Sequence, residues 1–401
     1  MQLTRLSLTN FRVFNRLDLE VPPKLIMISG ANAQGKTSIL EAVAYLATFS
    51  SFHTATDRQL VNFNLPPEPL QVGRIIAEYE RAGRRHSLEV RLILEFNGGS
   101  TPRYRRELLL DGVKKSVNEL FGQFNTVSFL PQMAKIIEDS PSYRRQYLDE
   151  LLSQIHPGYA RHLSDYQKAL GQRNALLKIL QESGGEARQL EIWDEIIARH
   201  GAELMAARIL ALRELEDLAA PIHQDLSRGA ELLRFDYRPA YEPLPDPKNQ
   251  SVLLLMQPDR SQLPLTTLES GFKTALHASH REDIARGMTT LGPHRDELRF
   301  IGNGIDLGDF GSRGQIRTAL LSLKLAELNW MKARTGEWPV LLLDEITAEL
   351  DLQRRADLMA ALGKVEQALL TCTDPHVFGE EFRASASNWT VENGMVNKVV
   401  L

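Results

Sequence analysis

Hydrophobic positions at the start of the chain first alternate with polar ones and then take up a helical period. Leucines spaced along residues 3–8 and alternating at 17–19 predict two strands. Residues 24–29 are apolar and end at a glycine, which predicts a buried strand. From Lys36 onward, apolar side chains recur at helical spacing, at Ile39, Leu40, Val43 and Leu46. The pattern predicts strands followed by a tight turn and a helix.

The hydrophobic pattern changes again near Pro131 and becomes predominantly helical. Two long periodic stretches, 159–181 and 190–218, predict a helical hairpin. Six of the 19 prolines fall between residues 239 and 264, which predicts irregular or edge structure before a further helix at 268–287. The middle of the chain therefore predicts a helical second lobe.

Composition narrows the class of protein. The chain has 401 residues with 43% hydrophobic side chains, enough for two or three globular domains. No apolar run approaches the ~18 residues that a membrane helix needs, so we expect a soluble cytoplasmic protein without membrane contact. The lone cysteine, Cys372, predicts neither a disulfide bond nor a structural zinc site.

Positive charge is concentrated in one segment although the net charge is −4. Residues 74–115, where alternation and turn signals predict antiparallel strands, hold ten basic and six acidic residues. One interpretation is a nucleic-acid contact; the other is a solvated sheet face with alternating charges. The candidate DNA contacts are Arg74, Arg84, Arg85, Arg103, Arg105, Arg106, Lys114 and Lys115.

A glycine-rich segment between the buried strand and the first helix fits the phosphate-binding loop G-x-x-x-x-G-K-[ST]. Its glycines let successive backbone N–H groups and the helix N-terminus point at a phosphate. Lysine neutralises the β- and γ-oxygens, and the threonine hydroxyl ligates Mg²⁺. The expected ATP ligands are therefore Gly30, Ala31, Asn32, Ala33, Gln34, Gly35, Lys36 and Thr37.

Two carboxylates follow a second apolar strand, residues 339–343. Asp344 is expected to hold Mg²⁺, and Glu345 to orient or deprotonate the water that attacks the γ-phosphate. The alternative is an acidic helix cap, which leaves the phosphate-binding loop without its usual partner.

A third segment distinguishes among nucleotide-binding proteins of this kind. Ser312, Gly314 and Gln315 precede an apolar helical pattern and resemble the signature motif of ABC ATPases. In that family the signature helix faces the γ-phosphate held by the partner subunit, so two ATP molecules join a head-to-tail homodimer. Taken alone, the same residues are also an ordinary helix cap.

Two further segments resemble ABC elements. Asp351 lies in a stretch similar to the D-loop, directly after the two carboxylates. The apolar strand at 368–370 ends where ABC proteins place their switch residue, and here Thr371 or Thr373 is a candidate for the γ-phosphate contact, ahead of His376. A plain turn after the strand is the alternative.

Together these segments resemble the bacterial RecF family over nearly the whole chain. The matching stretches are Leu8-Thr9-Asn10-Phe11-Arg12, the phosphate-binding loop, Ser140-Pro141-Ser142-Tyr143-Arg144-Arg145, Gln172-Arg173-Asn174-Ala175-Leu176-Leu177-Lys178, Gly292-Pro293-His294-Arg295-Asp296, Ser312-Arg313-Gly314-Gln315 and Leu342-Leu343-Asp344-Glu345. The resemblance implies an ATP-dependent clamp on gapped, junction or single-stranded DNA. It also implies RecO and RecR partners and assistance in placing RecA recombinase on single strands. Arg12 joins the expected nucleotide ligands.

The chain departs from the family pattern at three places. Family members often carry two aspartates where this chain has Asp344 and Glu345, a pair that favours retained hydrolysis. The family's acidic pair after Phe-x-Pro is replaced by Gln132 and Met133, which makes Gln132 either a ligand near Mg²⁺ or a solvated loop residue. The family's second aspartate after Arg295 is Glu297 here, and the role of residues 292–296 stays open.

We therefore expect an α/β fold: an ABC-type ATPase head from residues 1–121 and 288–401, with a predominantly helical lobe at 122–287 inserted into it. The expected activity is a weak, DNA-stimulated ATPase whose hydrolysis releases the clamp. An ABC transporter subunit is the rival within the fold, and a structural clamp with incidental hydrolysis is the rival in function. A small GTPase is disfavoured because no guanine-specifying N-K-x-D is present.

Overall fold

The structure is a computed structural model that describes residues 1–66, 68–96, 102–244, 259–346, 352–392 and 394–399. The chain divides into two compact units, Met1–Met133 with Lys324–Leu401 and Ala134–Leu323. These borders differ from the expected ones at 121/122 and 287/288, and the assignment of the segments to a head and a lobe stays a prediction. Among the described residues, no helix is both long and apolar enough to cross a bilayer.

The first unit contains an antiparallel sheet in the order β2-β1-β4-β5-β6-β7. Apolar side chains at alternate positions, such as Leu88, Val90 and Leu92, turn one face into the core, and charged residues line the other. The predicted antiparallel strands are confirmed. The strands are β1 (Gln2–Phe11), β2 (Phe14–Glu20), β4 (Leu70–Arg81), β5 (Arg84–Glu95), β6 (Arg103–Leu110) and β7 (Val113–Lys114).

A second sheet of the first unit has the order β15-β14-β3-β13-β12-β8 and is parallel except at β15. Its central strands β12 and β13 are buried at every position and mostly apolar, as expected of strands covered on both faces. The strands are β3 (Lys24–Ser29), β8 (Thr126–Phe129), β12 (Val340–Leu343), β13 (Gln367–Cys372), β14 (Ser387–Glu392) and β15 (Met395–Val399).

Helix α1 (Lys36–Thr48) contacts strands of both sheets. Its buried Val43 shares one hydrophobic core with Leu8 of β1 and with Ile28 and Leu342 of β3 and β12. The described part of the unit also has α2 (Val117–Leu120), α11 (Leu352–Leu362) and α12 (Glu380–Ser385). Burial of α1 between two sheets fixes the loop that precedes it.

The second unit is mainly helical. Its helices are α3 (Lys135–Glu138), α4 (Pro141–Ile155), α5 (Tyr159–Ser183), α6 (Glu191–Leu226), α7 (Leu265–Ala278), α8 (His280–Arg286) and α9 (Leu307–Phe310), and α10 (Arg313–Thr335) spans its C-terminal border. The predicted hairpin is confirmed as α5 and α6, and the predicted helix at 268–287 is two helices. A small antiparallel sheet of β11 (Ile305–Asp306), β10 (Glu297–Gly302) and β9 (Leu233–Arg238) was not predicted.

Residues 292–296, whose role the sequence left open, anchor the buried interior of the second unit. Asp296 is 1% exposed and accepts hydrogen bonds from Arg208 (3.0 Å), from the backbone of Ala240 (2.9 Å) and from the Tyr237 hydroxyl. Arg208 also donates to the Pro293 carbonyl at 2.6 Å. A buried carboxylate needs such donors to compensate for lost hydration. The segment therefore ties α6 to β9 and β10.

Candidate functional site

The loop between β3 and α1 has a backbone path that only glycine tolerates at two points. Gly30 and Gly35 have φ values of 151° and 110°. A Cβ atom on Gly30 would lie 2.4 Å from the Val391 carbonyl oxygen, and one on Gly35 would lie 2.8 Å from side-chain atoms of Val13 and Phe14. Residues 31–33 between them are exposed. The loop thus presents its backbone to solvent at the N-terminus of a buried helix.

Lys36 lies beneath this loop and is 4% exposed. Its ammonium group donates to the carbonyl oxygens of Gly30 (2.8 Å) and Ala31 (3.0 Å). It also lies 3.3 Å from Oε1 of Glu345. A buried charge must be paired in this way, so these contacts hold the lysine at the loop.

Asp344 accepts hydrogen bonds from two threonines on different elements. Thr37 of α1 donates from Oγ1 to Oδ1 at 2.9 Å and to Oδ2 at 3.2 Å. Thr371 of β13 donates to Oδ1 at 2.7 Å. Asp344 is 4% exposed and Thr371 is fully buried. The carboxylate is therefore fixed in direction from two sides.

Glu345 has an unusual backbone conformation. Its φ is 44°, in the left-handed region that non-glycine residues rarely occupy. Its N–H donates to Oγ1 of Thr371 at 3.0 Å. Left-handed backbone at a carboxylate beside a phosphate-binding loop is the kind of strain that accompanies functional sites.

Parallel pairing brings these residues to one edge of the sheet. Leu343 of β12 is in register with Leu370 of β13, and Cys372 of β13 is in register with Ser29 of β3. The carboxyl ends of the three strands therefore deliver the carboxylates, Thr371 and the loop to the same place. The predicted convergence of the loop with the carboxylate pair is found in the structure.

Two other expected ligands have partners inside the first unit. The Arg12 guanidinium forms a two-pronged ion pair with Glu41 of α1, at 2.6 and 2.7 Å, and Glu41 is 1% exposed. Gln132 donates from Nε2 to the Phe52 carbonyl at 3.2 Å. Arg12 thus links the β1–β2 turn to α1, and Gln132 is held by a neighbouring loop.

The signature-like segment begins α10 with a reciprocal cap. The Ser312 hydroxyl accepts from the Gln315 N–H at 3.2 Å, and Gln315 Oε1 accepts from the Ser312 N–H at 2.9 Å. Gln315 also donates from Nε2 to Glu231 at 3.0 Å, and buried His223 lies 3.3 Å from the other Glu231 oxygen. Because the serine only accepts in these bonds, its proton is left to donate. Gly314 lies in the first turn of the helix.

The three candidates for the switch residue, at and after the end of β13, differ in their exposure to solvent. Thr371 is buried against Asp344, whereas Thr373 is exposed and His376 contacts Arg383 at 3.1 Å. Burial raises the pKa of the Cys372 thiol to about 11, so it is neutral near pH 7. Asp351 lies outside the described residues.

Most of the candidate DNA contacts pair with carboxylates on or near the outer face of the antiparallel sheet. The pairs are Arg74 with Glu89, Arg85 with Glu80, Arg105 with Glu95 and Glu107, Lys114 with Glu107, and Lys115 with Glu119. Arg84 and Arg103 are exposed at strand ends. This face matches the alternating-charge interpretation, and at the turn between β4 and β5 the side chain of Arg85 is 83% exposed.

Arg106 points inward instead. Its guanidinium donates to the Tyr45 hydroxyl (2.7 Å), the Phe49 carbonyl (2.7 Å) and Asp57 (3.2 Å), and its side chain is 22% exposed. Burial raises the pKa of Tyr45 far above its usual range, so the tyrosine stays neutral. Arg106 therefore fastens α1 to the segment that follows it.

Known proteins of one family match this chain over nearly its whole length. A family profile described as the RecF/RecN/SMC N terminal domain matches residues 2–395. The chain is 38% identical over 405 residues to the DNA replication and repair protein RecF of Chloroflexus aurantiacus, covering 99% of both chains. It is 33% identical over 398 residues to the RecF of Bacillus mycoides, covering 99% of this chain and 98% of that protein.

Solved structures of the same family also superpose on this chain. The recombination mediator protein RecF-ATP in the RecFOR pathway superposes with a TM-score of 0.82 at 30% identity, covering 100% of this chain and 98% of the other. An SMC head bound to the C-terminal winged-helix domain of ScpA has a TM-score of 0.52 at 15% identity, which supports the fold alone. The expected α/β ABC-type head fold is confirmed. The chain belongs to the RecF family of ATP-binding, ABC-like ATPases.

Proposed function

We propose that the chain is an ATP-dependent DNA clamp of recombinational repair. The observation that carries the proposal is the meeting of Lys36, Thr37, Asp344 and Glu345 at one sheet edge. ATP phosphates take the place of the Gly30 and Ala31 carbonyls and of Glu345 as partners of Lys36. The loop N–H groups and the N-terminus of α1 bind the β-phosphate.

The residues present fit Mg²⁺. Thr37 donates its proton to Asp344 and so keeps its lone pairs for a cation, and Asp344 supplies a fixed carboxylate behind it. Mg²⁺ is usually held by one or two such groups together with nucleotide phosphates. When bound, it neutralises charge on the β- and γ-phosphates. Gln132 is a further proposed ligand whose contact with Phe52 would have to open.

Glu345 is the proposed base for hydrolysis. Once ATP occupies Lys36, the Glu345 carboxylate is free to orient the attacking water, at its fixed position after β12. Arg12 supports the site through Glu41 of α1, and its own contact with nucleotide is a second proposed role. We propose Thr373 and Asp351 as contacts made in the assembled dimer.

The site is completed by a second copy of the chain. Ser312 presents a hydroxyl whose proton is not used by its cap, at the N-terminus of the 23-residue helix α10. This end of a helix attracts anions, and Gly314 leaves the first turn without a side chain. We propose that Ser312, Gly314 and Gln315 bind the γ-phosphate held by the partner, which links ATP affinity to dimerisation.

DNA binding is proposed from family membership and from the exposed basic side chains. Relatives are named DNA replication and repair proteins, and the two solved RecF structures are described as a recombination mediator protein in the RecFOR pathway. We propose gapped, junction or single-stranded DNA as the ligand, with RecO- and RecR-type mediators as partners and RecA loading as the outcome. Contacts to phosphates imply binding that weakens steeply with salt. Slow, DNA-stimulated hydrolysis would release the clamp.

Analytical ultracentrifugation tests this proposal. The protein is sedimented without nucleotide, with ADP and with ATP, each with and without a gapped duplex. ATP alone should convert monomer to dimer, and the dimer should retain DNA. Unchanged mass and DNA binding with ATP would contradict the proposal and would leave Ser312–Gln315 as a helix cap.

A further inference from the structure

The Thr371 side chain makes hydrogen bonds to both carboxylate residues of the candidate site. It is fully buried at the end of β13, between the phosphate-binding loop strand and β12. Its hydroxyl donates to Oδ1 of Asp344 at 2.7 Å and accepts from the N–H of Glu345 at 3.0 Å. The Leu343 carbonyl lies 3.5 Å from the same hydroxyl, at the limit of a hydrogen bond, so the single hydroxyl proton goes to Asp344.

We infer that Thr371 is a positioning residue that holds both carboxylates of the site through one hydroxyl group. The inference rests on the proposed ATP hydrolysis and assigns Thr371 a role other than a contact with the γ-phosphate. Its burial against Asp344 leaves no hydroxyl proton for the nucleotide.

The Thr371 hydroxyl helps to fix the orientation of the Asp344 carboxylate. Thr37 and Thr371 donate to the same oxygen from α1 and from β13, which stops rotation of the carboxylate. A ligand held by neighbouring hydrogen bonds binds a cation more tightly than a free one. Loss of the Thr371 hydroxyl should therefore weaken Mg²⁺ binding and leave Mg²⁺-free ATP binding to the loop.

The Thr371 hydroxyl also helps to fix the backbone conformation of Glu345. Its φ of 44° is disfavoured for a residue with a side chain, and the bond from its N–H to Thr371 holds the backbone in place. In this conformation the carboxylate lies 3.3 Å from Lys36. Without the bond, the carboxylate should spend less time where the proposed attacking water would lie.

Two substitutions separate positioning from packing. Thr371→Val keeps the shape and removes the hydroxyl, and Thr371→Ser keeps the hydroxyl and removes a methyl group. Thr126→Val, at a buried threonine of β8 in the same sheet, is the matched control. The measurements are ATP binding with EDTA, the Mg²⁺ concentration for half-maximal ATP binding, and kcat and KM for hydrolysis.

Thr371→Val should raise the half-saturating Mg²⁺ concentration and lower kcat, each by about 10- to 100-fold, with ATP binding in EDTA unchanged. Thr371→Ser should recover most of both values, and Thr126→Val should match the wild type. Wild-type Mg²⁺ dependence and kcat in Thr371→Val would overturn the inference, as would equal losses in the valine and serine variants. Absence of ATP binding by the wild type would instead overturn the proposed function.

Discussion

Nζ of Lys36 lies 3.3 Å from Oε1 of Glu345, so the lysine of the phosphate-binding loop and the proposed catalytic base form an ion pair. In the proposed function, both groups change partners when ATP binds. The pair compensates the charge of a buried ammonium group, and in the proposed function it opens when ATP phosphates bind Lys36.

Replacement of Glu345 by glutamine tests this pairing. The variant removes a negative charge from the phosphate site, so ATP affinity should rise, while turnover should fall by about 100-fold or more because the base is lost. Nucleotide titration and steady-state hydrolysis measure the two effects. Glu380→Gln, an exposed carboxylate on α12, is the control.

The same variant separates a structural clamp from a cycling machine. A clamp whose hydrolysis is incidental should keep its repair function with Glu345→Gln, whereas a cycling machine should stay locked on DNA with ATP. Dissociation from labelled gapped DNA after a chase with unlabelled DNA gives the answer. Wild-type turnover in Glu345→Gln would exclude this residue as the base.

The nucleotide site was largely predictable because its chemistry is local in sequence. A phosphate-binding loop needs glycines at fixed positions, and an apolar strand followed by two carboxylates brings its partner to the same sheet edge. The small β9–β11 sheet was missed because its strands are short and two of them lie about 60 residues from the third. Short strands carry too little periodicity to be recognised.

The roles of Thr371, Arg106 and residues 292–296 depend on contacts between distant segments. Arg106 is one of several arginines in a basic segment, and only the fold shows that it points at Tyr45. Thr371 and Asp344 are 27 residues apart and meet because their strands pair in parallel. Alternation within β6 was the one available signal, since Arg106 shares the inward face with buried Leu108.

The exposed turn between β4 and β5 should contribute to DNA binding if this sheet faces DNA. Arg84→Gln with Arg85→Gln removes two charges from that turn, and the slope of log affinity against log salt should fall by about two. Arg5→Gln with Arg16→Gln removes equal charge from β1 and β2 of the same sheet and is the control. A wild-type slope in the Arg84 and Arg85 double variant would assign this turn to solvent.

A buried arginine should dominate the stability of the second unit. Arg173 is fully buried and donates to Asp194 and Asp283, both at 2.7 Å, and to Thr289 at 2.9 Å. Arg173→Met takes the guanidinium away from two buried carboxylates, which leaves Asp194 bonded to His280 and Asp283 bonded to Ser279 and Thr290. The loss should cost about 3–5 kcal/mol of unfolding free energy. Urea unfolding measures the loss, and Arg188→Met, at a side chain 82% exposed, should change little.

The second unit should also weaken in mild acid through His294. Burial lowers its pKa from 6.5 to about 4, and the imidazole bonds to the Tyr166 hydroxyl at 2.6 Å and the Thr289 carbonyl at 3.2 Å. Because the unfolded chain takes up a proton first, stability is lost as the pH falls from 6.5 toward 4.

Between pH 7.5 and 5, the wild type should therefore lose about 2 kcal/mol more unfolding free energy than His294→Gln. Urea unfolding at both pH values measures the difference. His376→Gln, at an exposed histidine of the first unit, should follow the wild type. Parallel losses in the wild type and His294→Gln would show that other groups govern the acid response.

Mixing two inactive variants tests the central claim, an ATP site shared between two copies. Lys36→Ala disables the loop, and Gly314→Asp places a carboxylate in the first turn of α10 where the γ-phosphate would approach. Each alone should be inactive in hydrolysis. Mixed dimers hold one site with both Lys36 and Gly314 intact, so an equimolar mixture should recover about a quarter of wild-type turnover if the sites act independently. A mixture as inactive as its components, or full activity of Gly314→Asp alone, would contradict a head-to-tail ATP dimer.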